Sequence, residues 1–159
     1  MLDNTLHLNL ESIRKGTSKM TDCELSDIRI MAILGEDNME VSTDSLVMYS
    51  SYLEENIPAS CELTGSATFS WEDFYRLGPG DKNEYEKLKK TRPSSRDIYK
   101  FIAFEDMIDD TVGLLVKVKR VSDRKRFVLP LMELKTTDKE SPINILISDY
   151  SYWYVNFRY

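Results

Sequence analysis

Residues 113–131 read GLLVKVKRVSDRKRFVLPL. Val116 and Val118 alternate with Lys117 and Lys119, so this stretch reads as a strand with one buried face and one basic face. RKRFVLPL supplies a second strand, and Ser122-Asp123 between the two makes the pair a β-hairpin. Upstream, YKFIAF at 99–104 reads as a further strand and runs into the acidic loop EDMIDD at 105–110. From residue 98 onward the chain is therefore strand-rich, and what precedes and follows must cover one side of a small sheet.

The flanking segments are punctuated as helices. Thr21-Asp-Cys-Glu24 has the form of a capping box, with Leu25, Ile28 and Ala32 at helical spacing and Gly35 as a stop. A helix is expected over 22–34, although DIRIMAILG is β-branched enough to form a strand instead. A second helix starts after Ser42 or Thr43 and reaches about Glu55, with Leu46, Tyr49 and Leu53 on one face. ASCELTG at 59–65 is a short strand. Ser70-Trp-Glu-Asp73 and Asp81-Lys-Asn-Glu84 each open a short helix, separated by Gly78-Pro79-Gly80, with Glu86 and Lys90 as an i, i+4 ion pair in the second. Ser141-Pro142 supplies an N-cap and a first-turn proline for a last helix. The tail LISDYSYWYVNFRY has six aromatic residues in its last ten. Ile143, Ile147, Tyr150 and Trp153 fall near one helical stripe, and Tyr154 and Phe157 can continue as a closing strand, so the rings are expected to seal the core.

The fold class expected is α+β: short N-terminal helices on a small antiparallel sheet or half-barrel, closed by the C-terminal aromatic segment. Residues 1–40 read as an N-terminal extension carrying one helix, in which LHLNL forms a brief edge strand. Residues 41–159 read as a single α+β domain. A length of 159 residues, with 42% hydrophobic and 30% charged residues, suits one globular unit. No run approaches the roughly 18 apolar residues of a membrane span, and no secretory signal is visible. Cys23 and Cys61 are isolated from each other, as expected for buried thiols in a reducing compartment, and the location expected is cytoplasmic.

The net charge of -6 is unevenly spread. Residues 1–74 hold 14 Asp/Glu against 4 Lys/Arg, whereas residues 75–159 hold 17 Lys/Arg against 13 Asp/Glu. An acidic front half argues against nucleic acid as the main partner and suits a cation or a basic protein surface. The basic hairpin Lys117, Lys119, Arg120, Arg124, Lys125 and Arg126 is the one candidate nucleic-acid surface, but only Phe127 interleaves it. Lysines also guard sheet edges against aggregation, and that explanation is weighted more heavily.

Most catalytic chemistries lack their residues. His7 is the single histidine and lies in the terminal extension, where ordinary surface duty is expected over the role of base in Ser-His or Cys-His catalysis. Two cysteines and one histidine cannot make a four-ligand zinc site. GPGDKNE at 78–84 precedes a helix but has neither nucleotide-binding glycine pattern. Carboxylates remain: Glu105, Asp106, Asp109 and Asp110 frame one loop whose oxygens suit calcium as hard ligands, although the EF-hand pattern is absent and solvated surface is the commoner role of such a loop.

The C-terminal half resembles a known family. GLLVKVKR…RKRFVLPLMELKTTD…INILISDYSYWYVN, with Pro130, Leu131 and Leu134 in a Pro-Leu-x-x-Leu turn and Asp149 to Trp153 in an Asp-aromatic-x-x-Trp signature, resembles the cyanobacterial calcium-binding protein family and its uncharacterised bacterial relatives. Tyr52, Leu53, Glu54, Pro58 and Cys61 resemble that family's upstream segment. Relative to its small members, 66–110 reads as an insertion. The resemblance implies a small β-rich fold and calcium binding without EF-hands, with Glu54 and Asp149 on the acidic positions of the matched motifs.

Two functional expectations follow. The first is a non-enzymatic binding module holding calcium at low affinity through the 105–110 loop with Glu54 or Asp149. The alternative is an acidic interaction module, of the immunity or counter-defence inhibitor kind, that blocks a basic surface on a partner enzyme or toxin.

Overall fold

The computed structural model describes residues 19–159. Among them the chain forms five α-helices and a five-stranded antiparallel sheet. The expected LHLNL strand and His7 lie outside the described residues.

Helix α1 spans Asp22–Leu34, and its capping box closes in both directions: Glu24 N donates to Thr21 Oγ1 and Thr21 N donates to Glu24 Oε2. Helix, not strand, forms here, with Ile30 and Leu34 as its buried residues, whereas of the expected stripe Leu25 and Ile28 are half-buried and Ala32 is exposed. Helix α2 spans Thr43–Asn56 behind a reciprocal Ser42–Ser45 cap and buries Leu46, Tyr49 and Leu53, as the spacing predicts. Strand β1 is Glu62–Gly65.

Helices α3, Ser70–Arg76, and α4, Lys82–Leu88, come next. Ser70 is not the cap of α3: Phe69 occupies that position, and Glu72 reaches back to accept from its N–H. Asp81 caps α4 as expected. The ion pair on α4 is Glu86 with Lys89, at 3.2 Å, rather than with Lys90, because the helix ends at Leu88.

Strands β2 (Tyr99–Phe104), β3 (Leu115–Arg120), β4 (Arg126–Pro130) and β5 (Leu134–Thr136) complete the sheet in the order β4-β3-β2-β1-β5. The β3–β4 hairpin is in the expected place, and Arg124 takes a positive φ of 63° in its turn. The sheet is the expected small antiparallel one and is not closed into a barrel: β4 and β5 are opposite edges that do not pair. Leu131 and Leu134 of the Pro-Leu-x-x-Leu turn are both buried where a 3₁₀ turn hands β4 to β5.

Helix α5, Pro142–Asn156, carries Ile147, Tyr150, Trp153 and Tyr154 into the core. Its helical hydrogen bonding continues through Tyr154, so the expected closing strand is absent and the tail seals the core as helix alone. Trp153 and Tyr150 pack against Tyr49 of α2, with ring centroids 4.9 and 5.4 Å away. Gly113, at φ +73°, lets this cluster approach the sheet: a Cβ there would lie 2.5 Å from the Tyr150 hydroxyl. That hydroxyl accepts from Leu114 N at 2.7 Å.

Helices α1, α2 and α5 thus cover one face of the sheet, and Ile30 and Leu34 belong to the same core as the strands. Both cysteines are free thiols, but they are less buried than expected: Cys23 is exposed and Cys61 is only half-buried. No helix among the described residues is long and apolar enough to cross a membrane.

Candidate functional site

The sheet face turned away from α1, α2 and α5 carries a row of cations. Strand alternation puts Lys100, Lys117, Lys119, Arg126 and Val128 outward while Tyr99, Phe101, Val116, Val118 and Leu129 turn inward. Pairing then aligns the cations. Lys100 of β2 sits directly opposite Lys119 of β3, and Lys119 sits directly opposite Arg126 of β4. Directly opposed side chains in an antiparallel pair have Cβ atoms about 5 Å apart, and like charges there destabilise the pairing. None of the three takes part in an ion pair among the described residues. Glu62, opposite Lys100 on β1, does not pair with it either.

Two hollows flank this row. One is lined by Ile102, Lys117, Arg126, Phe127 and Val128, which gives it apolar walls and a cationic rim. The other is lined by Lys100, Lys119, Arg120, Val121 and Arg124. A β-bulge at the Phe101–Ala103 step of β2 places Ile102 outside the regular pairing.

Arg120 underpins the row instead of joining it. Its guanidinium is buried and donates to Asp97, to both carboxylate oxygens of Asp123, and to the carbonyl oxygens of Lys89, Lys90 and Arg92. It also lies 5.0 Å from the centroid of the Phe127 ring. Those hydrogen bonds hold the Asp123 carboxyl down at about 2. Lys125 donates to the Lys90 carbonyl as well. Of the six hairpin cations, Arg120 is therefore consumed structurally and Lys125 is tethered, while Lys117, Lys119, Arg124 and Arg126 are left for other work.

The carboxylates singled out from the sequence are scattered. Glu54 is exposed on α2. In the 105–110 loop Glu105 is half-buried, and Asp106 and Asp110 are exposed. Asp109 accepts from the Thr111 N–H and hydroxyl at 2.9 and 2.8 Å, which lowers its pKa. Asp110 contributes its carbonyl, not its carboxylate, to the Tyr154 hydroxyl and Arg158. Asp149 is buried in α5 and accepts from Arg29 Nε at 2.6 Å, from Arg29 Nη2 at 2.9 Å and from the Ser26 hydroxyl at 2.7 Å. Among the described residues no three acidic, Cys or His side chains come together into a group that could hold a metal ion.

Sequence reading missed two features. Lys100 was unremarkable as a single lysine in YKFIAF, because its role depends on register with strands far along the chain. In the sequence Glu72 reads as part of a helix start, yet its carboxylate is fully buried and accepts from Tyr85, Ser94, Ser95 and Phe69. It ties α3, α4 and the 94–95 segment together. No known protein family, curated protein or solved structure matches this chain.

Proposed function

We propose that this protein is a non-catalytic binding module that takes an acidic segment of a protein partner on its open sheet face. The observation that carries this reading is the registered row Lys100–Lys119–Arg126, in which like charges oppose each other twice and none of the three forms an ion pair among the described residues, although Glu62 stands opposite Lys100. Edge protection accounts for Arg126 alone, since Lys119 and Lys100 lie one and two strands in from the edge. The apolar hollow beside the row adds a place for a side chain, and the overall net charge of -6 disfavours a long polyanion such as nucleic acid.

Fluorescence anisotropy with a labelled oligoglutamate peptide tests it. Binding is expected at low ionic strength and weakens as salt is added. The double variant Lys119→Glu/Arg126→Glu abolishes it, whereas Lys82→Glu/Lys87→Glu on the exposed side of α4 leaves it intact. Absence of binding at low salt, or binding indifferent to the sheet-face variant, overturns the proposal.

A second reading is favoured by the helical layer. Asp22, Glu24, Glu36, Asp37, Glu40 and Asp44 are all exposed there and form no ion pair among the described residues. This layer would block a basic surface on a partner enzyme or toxin. Labelled oligolysine separates the two: capture abolished by Glu36→Lys/Asp37→Lys/Glu40→Lys supports the acidic layer.

A further inference from the structure

The β4 edge offers main chain as well as charge. Arg120 N donates to the Lys125 carbonyl and Leu131 N donates to the Leu114 carbonyl, so odd-numbered residues on this side of the hairpin bond inward to β3. In an antiparallel ladder inward and outward groups alternate residue by residue. The N–H and C=O groups of Arg126 and Val128 therefore point away from β3. β4 is the last strand on that side among the described residues, and Pro130, which has no N–H, ends the usable edge. The side chains of the same two residues are exposed on the outer face. Val128 is 49% exposed, and Arg126 terminates the cation row.

We propose that β4 receives an extended acidic–apolar segment of the partner as an added strand, with an acidic residue opposite Arg126 and an apolar residue opposite Val128. This rests on the reading of the sheet face as an acidic-segment site and specifies how the segment is held. Main-chain hydrogen bonds along the edge supply affinity and alternate side chains supply selectivity, the general logic of strand addition. An acid opposite Arg126 extends the row Lys100–Lys119–Arg126 with a counter-charge at its β4 end, as Glu62 stands opposite Lys100 at the other. Two residues along the added strand, the apolar side chain lies on the same face beside Val128 and the hollow walled by Ile102 and Phe127. A second copy of this chain is a poor occupant, because edge-to-edge pairing would bring two cationic strands together. Nucleic acid has no amide ladder to offer the edge, and among the described residues the outer sheet face exposes no row of rings for bases.

The test uses the full chain and a peptide of two Glu-Thr-Val-Thr repeats, acetylated and amidated. In the proposed register the Glu and Val amides face β4 and the Thr amides face away. N-methylation of Glu and Val is expected to weaken binding about tenfold, as the loss of two hydrogen bonds implies. N-methylation of Thr leaves affinity unchanged. Amide hydrogen exchange at Arg126 and Val128 slows on binding of the unmodified peptide. Equal affinity for all three peptides, with exchange at Arg126 and Val128 unaltered, overturns strand addition while the charge-based reading stands. Failure of every peptide to bind at low salt overturns both. A single-stranded oligonucleotide that binds more tightly than the unmodified peptide also overturns the acidic-peptide assignment.

Discussion

Arg29 and Asp149 are 120 residues apart in the chain, and Arg29 Nε lies 2.6 Å from Asp149 Oδ2. The pair clasps α1 to α5, with Arg29 Nη2 and the Ser26 hydroxyl, one turn earlier, both donating to Asp149 Oδ1. Hydrogen bonding to the carboxylate raises the Arg29 pKa against the opposing effect of burial. Asp149, the acidic residue of the Asp-aromatic-x-x-Trp signature, thus serves in the fold as an anchor for the first helix.

Replacing Asp149 with Ala should cost about 2–3 kcal/mol, because it leaves a partly buried guanidinium without its charge-assisted hydrogen bonds. Urea unfolding followed by far-UV circular dichroism gives the number. The double variant Arg29→Met/Asp149→Leu should recover most of the loss, since neither partner is then stranded. A single Asp149→Ala variant as stable as the parent would contradict the clasp.

Tyr49 makes the opposite case. Its hydroxyl is buried with no hydrogen-bond partner among the described residues, and burial pushes its pKa up. Tyr49→Phe keeps the ring contacts with Tyr150 and Trp153 and removes a desolvated polar atom. Stability should rise by about 1 kcal/mol, read as a higher thermal midpoint. A fall would mean that the hydroxyl is satisfied.

Acid should weaken the fold through Glu72 and Asp123. Burial alone raises the Glu72 pKa, but hydrogen bonds from Tyr85, Ser95 and Ser94 outweigh it and leave the pKa below the ordinary value. Arg120 lowers Asp123 to about 2. A carboxyl whose pKa is lower folded than unfolded binds fewer protons in the folded state. Its contribution is therefore complete above the unfolded values of about 4 and is lost as pH falls through the folded ones. The urea midpoint should be level near neutrality and drop below about pH 4, with a shallower drop in Glu72→Gln. A midpoint unchanged down to the folded pKa of Asp123 would refute this.

Lys119→Glu should raise stability and destroy binding together. In the middle of the row it converts two like-charge oppositions, with Lys100 and Arg126, into attractive ones, a gain of about 0.5–1 kcal/mol. The same change removes the central cation for an acidic segment. Calorimetric unfolding and peptide anisotropy on one sample give both answers. A destabilised variant would mean that Lys119 has a structural partner.

Local signals carried well from sequence to structure. The Thr21–Glu24 box, the Asp81 and Ser141 caps and the Val116/Lys117/Val118/Lys119 alternation each depend on residues within a turn or two of one another, and each formed. What was illegible depends on register and on distant partners. Lys100 meets Lys119 only because β2 pairs with β3 in one frame, and a bulge at Ile102 sets that frame. The expected closing strand at Tyr154 and Phe157 failed because α5 gains more by keeping Tyr150, Trp153 and Tyr154 on one continuous stripe against α2 and the sheet. The calcium expectation names the 105–110 loop with Glu54 or Asp149, and no local pattern reveals that Arg29 and Ser26 already hold the Asp149 carboxylate.

The Arg120 knot bears on how this surface meets a partner. One guanidinium gathers two carboxylates and three carbonyl oxygens from the hairpin, the 97 position and the end of α4, so these segments move as one body. Association then immobilises little beyond the tips of Lys119, Arg126 and their neighbours, and the entropy lost on docking stays small. Such a pre-ordered surface reads a partner by shape and spacing, where a pliant one would mould itself to any strip of negative charge.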